Sequence, residues 1–455
     1  MPSTLTDRLA SLVAEAPAAS LPPKALERAK MALIDYIGVT IAGASEPVAG
    51  LIARMIRQHG SPGACTVIAT DLETGPLDAA LANGTAGHAL DYDDSNFQLG
   101  GHPSVALYPA VLALGQKLSS SGRDVLDAYV IGFEVMMRLA ACVNFEHYDR
   151  GWHPTATIGT FGAAAAAARL LKLPAGETRT AIGLAASMAS GVKANFGTMS
   201  KPLQVGHASQ KGLWCALLAA EGATASPDAL EGKQGFFQVY NGPGQYRVPD
   251  GGAAEPTWGI LDSGLMFKRY ACCGSTHPAV DAALELKELY RVEPENIEAV
   301  TVRIHPRRLP HVNRPAVSRG LEGKFSLQYT VAAALADGEV GLRHFTDEAV
   351  QRPDIQRLLA RVTAEPIDNP PEALSQVCEV EVRTSDGRRH RVRVERAKGR
   401  SADEFGSHLK KKFLDCAAQA FEAERAEELF SLLDRIGETD DVNELMRRLG
   451  AGGRR

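Results

Sequence analysis

Apolar residues recur at helical spacing through most of the first 240 residues. Ala29, Leu33 and Ile37 follow one another at four-residue steps, and a similar stripe runs through residues 125–136. Apolar residues that repeat with this period lie on one face of a helix, so the pattern predicts a series of amphipathic or buried helices. Pro22 and Pro23 suit the first turn of one of them, where a missing backbone N–H costs nothing.

Three of the predicted helices are rich in small residues. They cover residues 162–171, 177–190 and 206–221, where Ala, Gly and Ser predominate. Glycine lowers helix propensity by roughly 1 kcal/mol relative to alanine, and close packing between helices is the expected compensation. The first half of the chain is therefore predicted to form a compact helical bundle.

The periodicity changes near residue 297. Val300, Val302 and Ile304 alternate with other residues at the spacing of a β-strand. Residues 380–394 alternate in the same way on both sides of an Asp-Gly pair, which predicts a β-hairpin. Helical spacing returns at residues 327–335 and again after residue 403.

These patterns predict a mainly α protein with a smaller α+β domain. A chain of 455 residues is too long for one simple hydrophobic core, so two domains are expected. Residues 1–265 would form the helical domain, which residues 401–455 complete. Residues 266–400 would form an inserted α+β lid domain.

Composition narrows the class of protein. The hydrophobic fraction of 45% and the charged fraction of 23% are ordinary for a globular protein, and the net charge of −5 indicates no nucleic-acid partner. Seven cysteines without a CxxC pair predict neither a disulfide framework nor a zinc site. The N-terminus has no signal-like apolar run, and no stretch approaches the roughly 20 apolar residues of a membrane helix. We therefore expect a cytoplasmic protein with no membrane partner.

The densest group of titratable residues is the segment 88–104. It contains His88, Asp91, Asp93, Asp94 and His102. Imidazoles beside carboxylates can move protons near neutral pH. The spacing of His88 and Asp91 predicts that they share one helix face. Solvated aspartates at a helix end are the structural alternative, and a metal site is disfavoured because three acids in four helical residues cannot converge on one ion.

Two further segments contain candidates for proton transfer and charge stabilisation. His153 precedes Pro154 and an alanine-rich helix, whose positive N-terminus would keep the imidazole neutral and able to accept a proton. Lys201 lies between small residues and Pro202, and a lysine on a stiff loop suits one anionic group. A histidine packed beside Trp152 and a solvated lysine are the structural alternatives.

The polar run at residues 267–278 precedes an apparent helix. Lys268, Cys273 and His277 are the candidates there, and hydroxyl caps at Ser275 or Thr276 are the structural alternative. A cysteine nucleophile would need a nearby base or a helix N-terminus to lower the pKa of its thiol.

Tyr329 is either an acid that donates to a carboxylate or an ordinary aromatic on the core face of a helix. The chain has no GxGxxG fingerprint, no GxSxG elbow, no HExxH motif and no iron–sulfur spacing of cysteines. We therefore expect acid–base chemistry on a small polar substrate without a cofactor and without a metal ion.

These segments together resemble the MmgE/PrpD family, which includes enzymes that dehydrate 2-methylcitrate, decarboxylate cis-aconitate or epimerise iminodisuccinate. The resemblance extends along nearly the whole chain and rests on the order and spacing of its motifs. They are LIDYIGVTIAG, ALDYDD, GGHPS, GWHPTATIGTFGAA, SKPLQVGHASQKG, YACCGSTHPAVDA and KFSLQYTVAAAL.

The resemblance implies a homodimer of helical domains, each with an α+β lid, and a metal-free pocket between the two domains. The motif match implies that the pocket residues are Asp91, His102, His153, Lys201, Lys268 and Tyr329. It places Ser95 where many members have threonine, and it places Cys273 and His277 in a region that lines the pocket in some members.

The resemblance leaves the reaction open. An ungapped match puts Cys273 where the animal decarboxylase has a catalytic histidine, and Ser95-Asn96 replaces the Thr-Trp pair usual in methylcitrate dehydratases. Family substrates are small di- or tricarboxylates with an acidic proton next to a carboxylate. We expect a hydro-lyase acting on a citrate-like acid. An epimerase of amino or imino dicarboxylates, a cis-aconitate-type decarboxylase and a non-catalytic carboxylate-binding protein are the alternatives.

Overall fold

The computed structural model describes residues 4–17, 20–248, 258–368 and 376–450. The chain forms two compact units, which we call the helical unit (Met1–Phe267 with Ser401–Arg455) and the α+β unit (Lys268–Arg400). The sequence analysis set the insertion at residues 266–400. The predicted fold class, mainly α with a smaller α+β part, is confirmed.

Helices account for nearly all regular structure in the helical unit. Its elements before the insertion are α1 (Leu5–Glu15), α2 (Pro23–Gly43), α3 (Pro47–His59), β1 (Cys65–Thr66), β2 (Glu73–Thr74), α4 (Pro76–Ala89), α5 (Ser104–Leu118), α6 (Gly122–Val143), α7 (Glu146–Asp149), α8 (Pro154–Leu170), α9 (Ala175–Met188), α10 (Ser200–Ala220), α11 (Phe236–Asn241) and α12 (Gly259–Asp262). After the insertion follow α19 (Ala402–Ala417), α20 (Ala423–Asp434) and α21 (Asn443–Leu449).

The alanine-rich helix α8 is the buried centre of this unit. It packs against α5, α6 and α10, and all of its residues except Arg169 are buried. Small residues make the close packing possible. A Cβ added to Gly162 would lie 2.3 Å from Met136 Cγ, and one added to Gly212 would lie 2.5 Å from Ala163 Cβ. Both distances are far below contact distance, so the glycines permit the helix spacing that the sequence analysis predicted.

Helix α2 begins with Pro23 in its first turn, as predicted, and most of its residues are buried. In the part of the chain that the structure describes, no single helix is both long and apolar enough to cross a membrane. Among the described residues, α2 and α3 reach that length and composition together, as a pair bent by 83°.

The α+β unit contains one four-stranded sheet among its described residues. Its elements are α13 (His277–Tyr290), β3 (Ile297–Ile304), α14 (Leu309–Val312), α15 (Gly320–Gly323), α16 (Leu327–Asp337), α17 (Asp347–Val350), α18 (Pro353–Leu359), β4 (Val362–Pro366), β5 (Cys378–Thr384) and β6 (Arg389–Val394). The strand order is β4-β3-β5-β6, with β3 and β4 parallel and the other pairs antiparallel.

The predicted hairpin and strand are both present. Residues of β5 alternate between buried and half-buried, and Gly387 in the turn has a φ of +82°, a conformation that favours glycine. Helix α13 packs on β5 and β6, and α16 packs on β4. The sequence analysis did not predict β4, because its sequence VTAEP is short, ends in proline and has few apolar residues.

Candidate active site

The segment after α4 does not continue as a helix. Helix α4 ends at Ala89, and Asp91 has a φ of +53°, in the left-handed region. The prediction that His88 and Asp91 share a helix face is therefore wrong, because the reversal at Asp91 turns its side chain away from the helical path. His88 pairs with Asp93 instead, with 2.8 Å between Nδ1 and Oδ2.

Asp93 holds two imidazoles at once. Its Oδ2 lies 2.8 Å from His88 Nδ1 and 3.0 Å from His102 Nδ1. His102 Nδ1 also lies 2.7 Å from the carbonyl oxygen of Asp94. A carbonyl oxygen only accepts hydrogen bonds, so the His102 proton is on Nδ1 and the lone pair is on Nε2. That Nε2 lies 3.8 Å from Asp91 Oδ1.

Hydrogen bonds also set the position and the tautomer of His153. It directly precedes α8, and Pro154 occupies the first turn of that helix as predicted. Its Nδ1 lies 2.8 Å from Gln204 Oε1, while Gln204 Nε2 donates to the Val192 carbonyl at 3.1 Å. That second bond sets the amide orientation, so His153 Nδ1 carries the proton and Nε2 carries the lone pair.

The three rings form what we call the imidazole cluster: His88, His102 and His153. The His88 ring centroid lies 4.8 Å from that of His102 and 5.9 Å from that of His153. His88 and His153 are 1% and 2% exposed, whereas 15% of the His102 side chain is exposed. His102 is therefore the member of the cluster most accessible to a ligand.

Burial determines the charge of the cluster. Burial lowers the pKa of His88 to about 4 and the pKa of His153 well below its usual value, so both are neutral at pH 7. Burial by itself would raise the pKa of Asp93, but His102 and His88 outweigh it and hold that pKa well below its usual value. The neutral imidazoles of His88 and His153 thus lie in one network with the ionised carboxylate of Asp93.

Lys201 and Asp91 form a buried ion pair beside the cluster. Lys201 Nζ lies 2.6 Å from Asp91 Oδ1, and the residues are 8% and 7% exposed. Lys201 lies in the first turn of α10, not on the stiff loop that the sequence analysis predicted. The difference arises because α10 begins before Pro202, which is tolerated in a first turn.

A second buried network lies behind these residues. Lys412 in α19 donates to the Tyr92 carbonyl at 2.7 Å and lies 2.6 Å from Asp35 Oδ1. Burial, and then the Asp35 charge, raise the pKa of Asp94 well above its usual value, which favours its protonated form. Its carboxyl is hydrogen-bonded to the Ser104 hydroxyl. These contacts hold the backbone between Tyr92 and His102.

Ser95, a predicted substrate-binding residue, adjoins this segment. Its backbone N–H donates to the Met266 carbonyl at 2.9 Å, and the Met266 N–H donates back at 2.8 Å. Its hydroxyl lies 3.4 Å from the same carbonyl. The backbone of Ser95 is thus fixed by pairing, and its hydroxyl is only weakly engaged by this contact.

His88, Asp93 and His102 each offer a ligand atom, and these atoms lie within 4.8 Å of one another. A metal ion could use such a set. However, the Nδ1 atoms of both histidines already lie at hydrogen-bonding distance from Asp93. Proton-mediated pairing therefore accounts for this geometry without an ion.

The other predicted site residues lie in the α+β unit. Lys268 is 3% exposed, and Cys273 is half-buried with its N–H donating to the Lys324 carbonyl at 2.9 Å. His277 is the first residue of α13 and is buried, with Nε2 3.2 Å from the Cys272 carbonyl. That contact gives His277 a structural role in the turn.

Two details of this unit modify the predictions. Thr276 does not cap α13 through its side chain, because it has helical backbone angles and its hydroxyl donates to the Cys273 carbonyl at 2.8 Å. Tyr329 is fully buried, and its hydroxyl donates to the His344 carbonyl. This position favours a packing role for Tyr329 over the acid role that the sequence suggested.

Sequence reasoning missed three contributors to the site. His88 and Asp93 were noticed but were not assigned to it, because spacing alone paired His88 with Asp91. Gln204 was overlooked entirely. It follows Lys201 by three residues in α10, so helical spacing places both on one face, and that signal could have identified it.

Comparison with known proteins gives a consistent result over the whole chain. Residues 7–249 match the model of the MmgE/PrpD N-terminal domain, and residues 270–435 match that of the MmgE/PrpD C-terminal domain. The chain is 29% identical to the cis-aconitate decarboxylase of Mus musculus over 93% of this chain and 89% of that protein. It is 28% identical to the Homo sapiens enzyme over 98% and 94% of the two chains. It is 29% identical to the Aspergillus terreus (strain NIH 2624 / FGSC A1156) enzyme over 94% and 92%.

Proposed function

The chain belongs to the MmgE/PrpD family, and on that premise we propose that it is a lyase that releases CO₂ from a small unsaturated tricarboxylate such as cis-aconitate. Full-length similarity to cis-aconitate decarboxylases of animals and a fungus supports an enzyme that acts on a tricarboxylate. The sequence analysis favoured dehydration, and the names of these relatives favour decarboxylation over it.

The proposal rests on the hydrogen-bonding arrangement of His102. Its Nδ1–H is held by the Asp94 carbonyl and the Asp93 carboxylate, and its Nε2 is the atom left to exchange a proton with a ligand. Carboxylate oxygens lie near both ring nitrogens, 3.0 Å from Nδ1 and 3.8 Å from Nε2, and fix the orientation of the imidazole. A positioned imidazole of this kind contributes about 10²- to 10⁴-fold to a proton transfer.

Decarboxylation needs such a proton donor. When the carbon–carbon bond breaks, CO₂ leaves as a neutral molecule and the bonding electron pair stays on the substrate. A proton added to a carbon of the remaining skeleton takes up that pair, which gives an unsaturated dicarboxylate. One proton is consumed in each turnover, and we assign its delivery to His102, with water as the source that reloads the imidazole.

Lys201 supplies the positive charge that binds one of the carboxylates that stay on the substrate when CO₂ leaves. An ammonium group in a poorly hydrated site stabilises developing negative charge more strongly than it would in water. Asp91 compensates that charge before the substrate binds, because the two groups are 2.6 Å apart. His153 and His88 remain neutral, so neither imidazole repels the Lys201 ammonium group.

Dehydration of a citrate-like acid is the second candidate function. The family resemblance places Cys273 where the animal decarboxylase has a catalytic histidine, which leaves this alternative open although fungal decarboxylase-like members carry a similar Cys-Cys-Gly. The imidazole cluster could then remove the proton next to a carboxylate and protonate the hydroxide that leaves.

The test is to incubate the purified protein separately with cis-aconitate, citrate and 2-methylcitrate. Trapped CO₂ and the NMR spectra of the products distinguish the reactions. We expect CO₂ and an unsaturated dicarboxylate from cis-aconitate only. Absence of CO₂ release from cis-aconitate would overturn the proposal, and an unsaturated tricarboxylate formed from citrate or 2-methylcitrate would support dehydration instead.

A further inference from the structure

The turn Cys273–Ser275, which leads into α13, is flanked by two arginines from distant parts of the α+β unit. Arg308 Nη1 lies 3.3 Å from Ser275 Oγ. A Cβ added to Gly274 would lie 3.4 Å from Arg400 Nη2, so the Arg400 guanidinium lies directly against the turn. Both arginines are half-buried, where water solvates a guanidinium incompletely.

Positive charge is concentrated around this turn. Lys268 and Lys324 are 3% and 4% exposed, and their charges act on the nearby Cys272 thiol, although burial outweighs them and raises the pKa of that thiol to about 12. One carboxylate near Arg400 belongs to Asp281, which already accepts two hydrogen bonds from other groups. The turn therefore gathers several cations near the Asp281 carboxylate.

The two guanidiniums also affect each other. Burial, and then the neighbouring charge of Arg308, lower the pKa of Arg400 to about 10. This is the direction expected when like charges are held together, and an anion placed beside both groups would relieve the repulsion. The positive N-terminus of the 14-residue helix α13 adds to the attraction for an anion.

We propose that Arg308, Arg400 and Ser275 form a carboxylate-binding site in the α+β unit, and that its ligand is one carboxylate group of a small tricarboxylate. A guanidinium binds a carboxylate through parallel N–H···O bonds, and a hydroxyl adds a third donor. The identity of the ligand as a tricarboxylate rests on the proposed function, whereas the anion-binding chemistry follows from the arginines themselves. The sequence analysis did not single out either arginine.

Isothermal titration calorimetry with tricarballylate, a saturated tricarboxylate, tests the inference on the full-length protein. Arg308→Gln and Arg400→Gln should each raise its Kd about tenfold or more, the loss expected when one charge-assisted hydrogen-bonding group is removed. Arg307→Gln removes an exposed neighbouring arginine and serves as the matched control, with a change of less than about twofold. Ser275→Ala is a milder variant, expected to raise Kd about threefold, if an arginine variant does not fold.

The outcomes separate this inference from the proposed function. Unchanged Kd in folded Arg308, Arg400 and Ser275 variants would overturn the carboxylate site, even if the enzyme decarboxylated cis-aconitate. Arginine-dependent binding of tricarballylate without turnover of cis-aconitate would support the site and overturn the proposed function. A raised KM for cis-aconitate in both arginine variants, with kcat changed much less, would support both.

Discussion

Lys201 and Asp91 form a buried ion pair with 2.6 Å between Nζ and Oδ1, although 110 residues separate them in the chain. Asp91 reaches this position through a left-handed backbone conformation, at a φ of +53°. The pair balances the charge of a lysine that would otherwise be buried beside neutral imidazoles. In the function that we propose, this lysine then binds a substrate carboxylate.

We predict that Lys201→Met lowers kcat/KM for cis-aconitate by about 10²-fold or more and destabilises the protein by about 3 kcal/mol, since it leaves a buried carboxylate without its partner. The double variant Lys201→Met/Asp91→Asn should recover most of the stability but none of the activity. Urea unfolding and steady-state kinetics measure the two effects. Lys211→Met is the control, because Lys211 lies half-buried on the same helix and donates to the Ser190 hydroxyl instead of to a carboxylate. Recovery of activity in the double variant would contradict the assigned role of Lys201.

The Lys412–Asp35 pair should matter for stability more than any exposed ion pair on the same helix. Lys412→Met removes a hydrogen bond to the Tyr92 carbonyl and strands Asp35, which is 2% exposed, so we expect a loss of about 3 to 5 kcal/mol. Lys410→Met breaks an exposed pair with Glu427 and should cost less than about 1 kcal/mol. Denaturant midpoints of the two variants decide this, and equal losses would be inconsistent with a structural role for the buried pair.

Buried neutral histidines should make the protein sensitive to mild acid. Burial lowers the pKa of both His88 and His147 from 6.5 to about 4 in the folded protein. Below pH 6.5 the unfolded chain takes up protons that the folded protein does not, so stability falls as the pH drops from 6.5 towards 4. The loss should approach about 3 kcal/mol per histidine at the lower end.

His147 offers the cleaner test because it lies outside the imidazole cluster and is held by Asn241 and Thr157. In His147→Gln, the unfolding free energy should depend less steeply on pH between 6.5 and 4, and kcat at neutral pH should stay near that of the wild type. Unfolding curves at several pH values measure the slope. An unchanged slope would show that His147 does not titrate as described.

Activity should not depend on a metal ion. Hydrogen bonds to Asp93 account for the geometry of His88 and His102, so an ion is not needed to explain their positions. Dialysis against EDTA should leave the rate of cis-aconitate turnover unchanged. A loss of rate that Mg²⁺, Zn²⁺ or Fe²⁺ restores would instead point to the His88–Asp93–His102 set as a metal site.

Local patterns in the sequence predicted the fold class and most of the longer elements. The alanine and glycine content of α8 and α10 required close packing, and the alternation in β3 and β5 required strands. The sequence pattern did not predict strand β4, because a short edge strand has few apolar residues of its own. It is defined by pairing with β3, with Val362 opposite Val300, and not by its own sequence.

The sequence singled out the segment 88–104, His153 and Lys201 as candidates, but it did not predict how their side chains pair. Spacing suggested His88 with Asp91, whereas the chain reverses at Asp91 and pairs His88 with Asp93. The bond between Lys412 and the Tyr92 carbonyl joins residues 320 positions apart. Sequence periodicity cannot predict such a contact, because the contact depends on how the helices pack.

We propose above that His102 delivers the proton that replaces the lost carboxylate, and solvent deuterium tests this role. Cis-aconitate is incubated in D₂O with the wild type, with His102→Gln and with His147→Gln, and the product is followed by NMR and mass spectrometry. The wild type and His147→Gln should release CO₂ and form a product with one deuterium bound to carbon. Folded His102→Gln should react at a rate at least about 10²-fold lower. Turnover and deuterium incorporation by His102→Gln at the wild-type rate would contradict this role of His102.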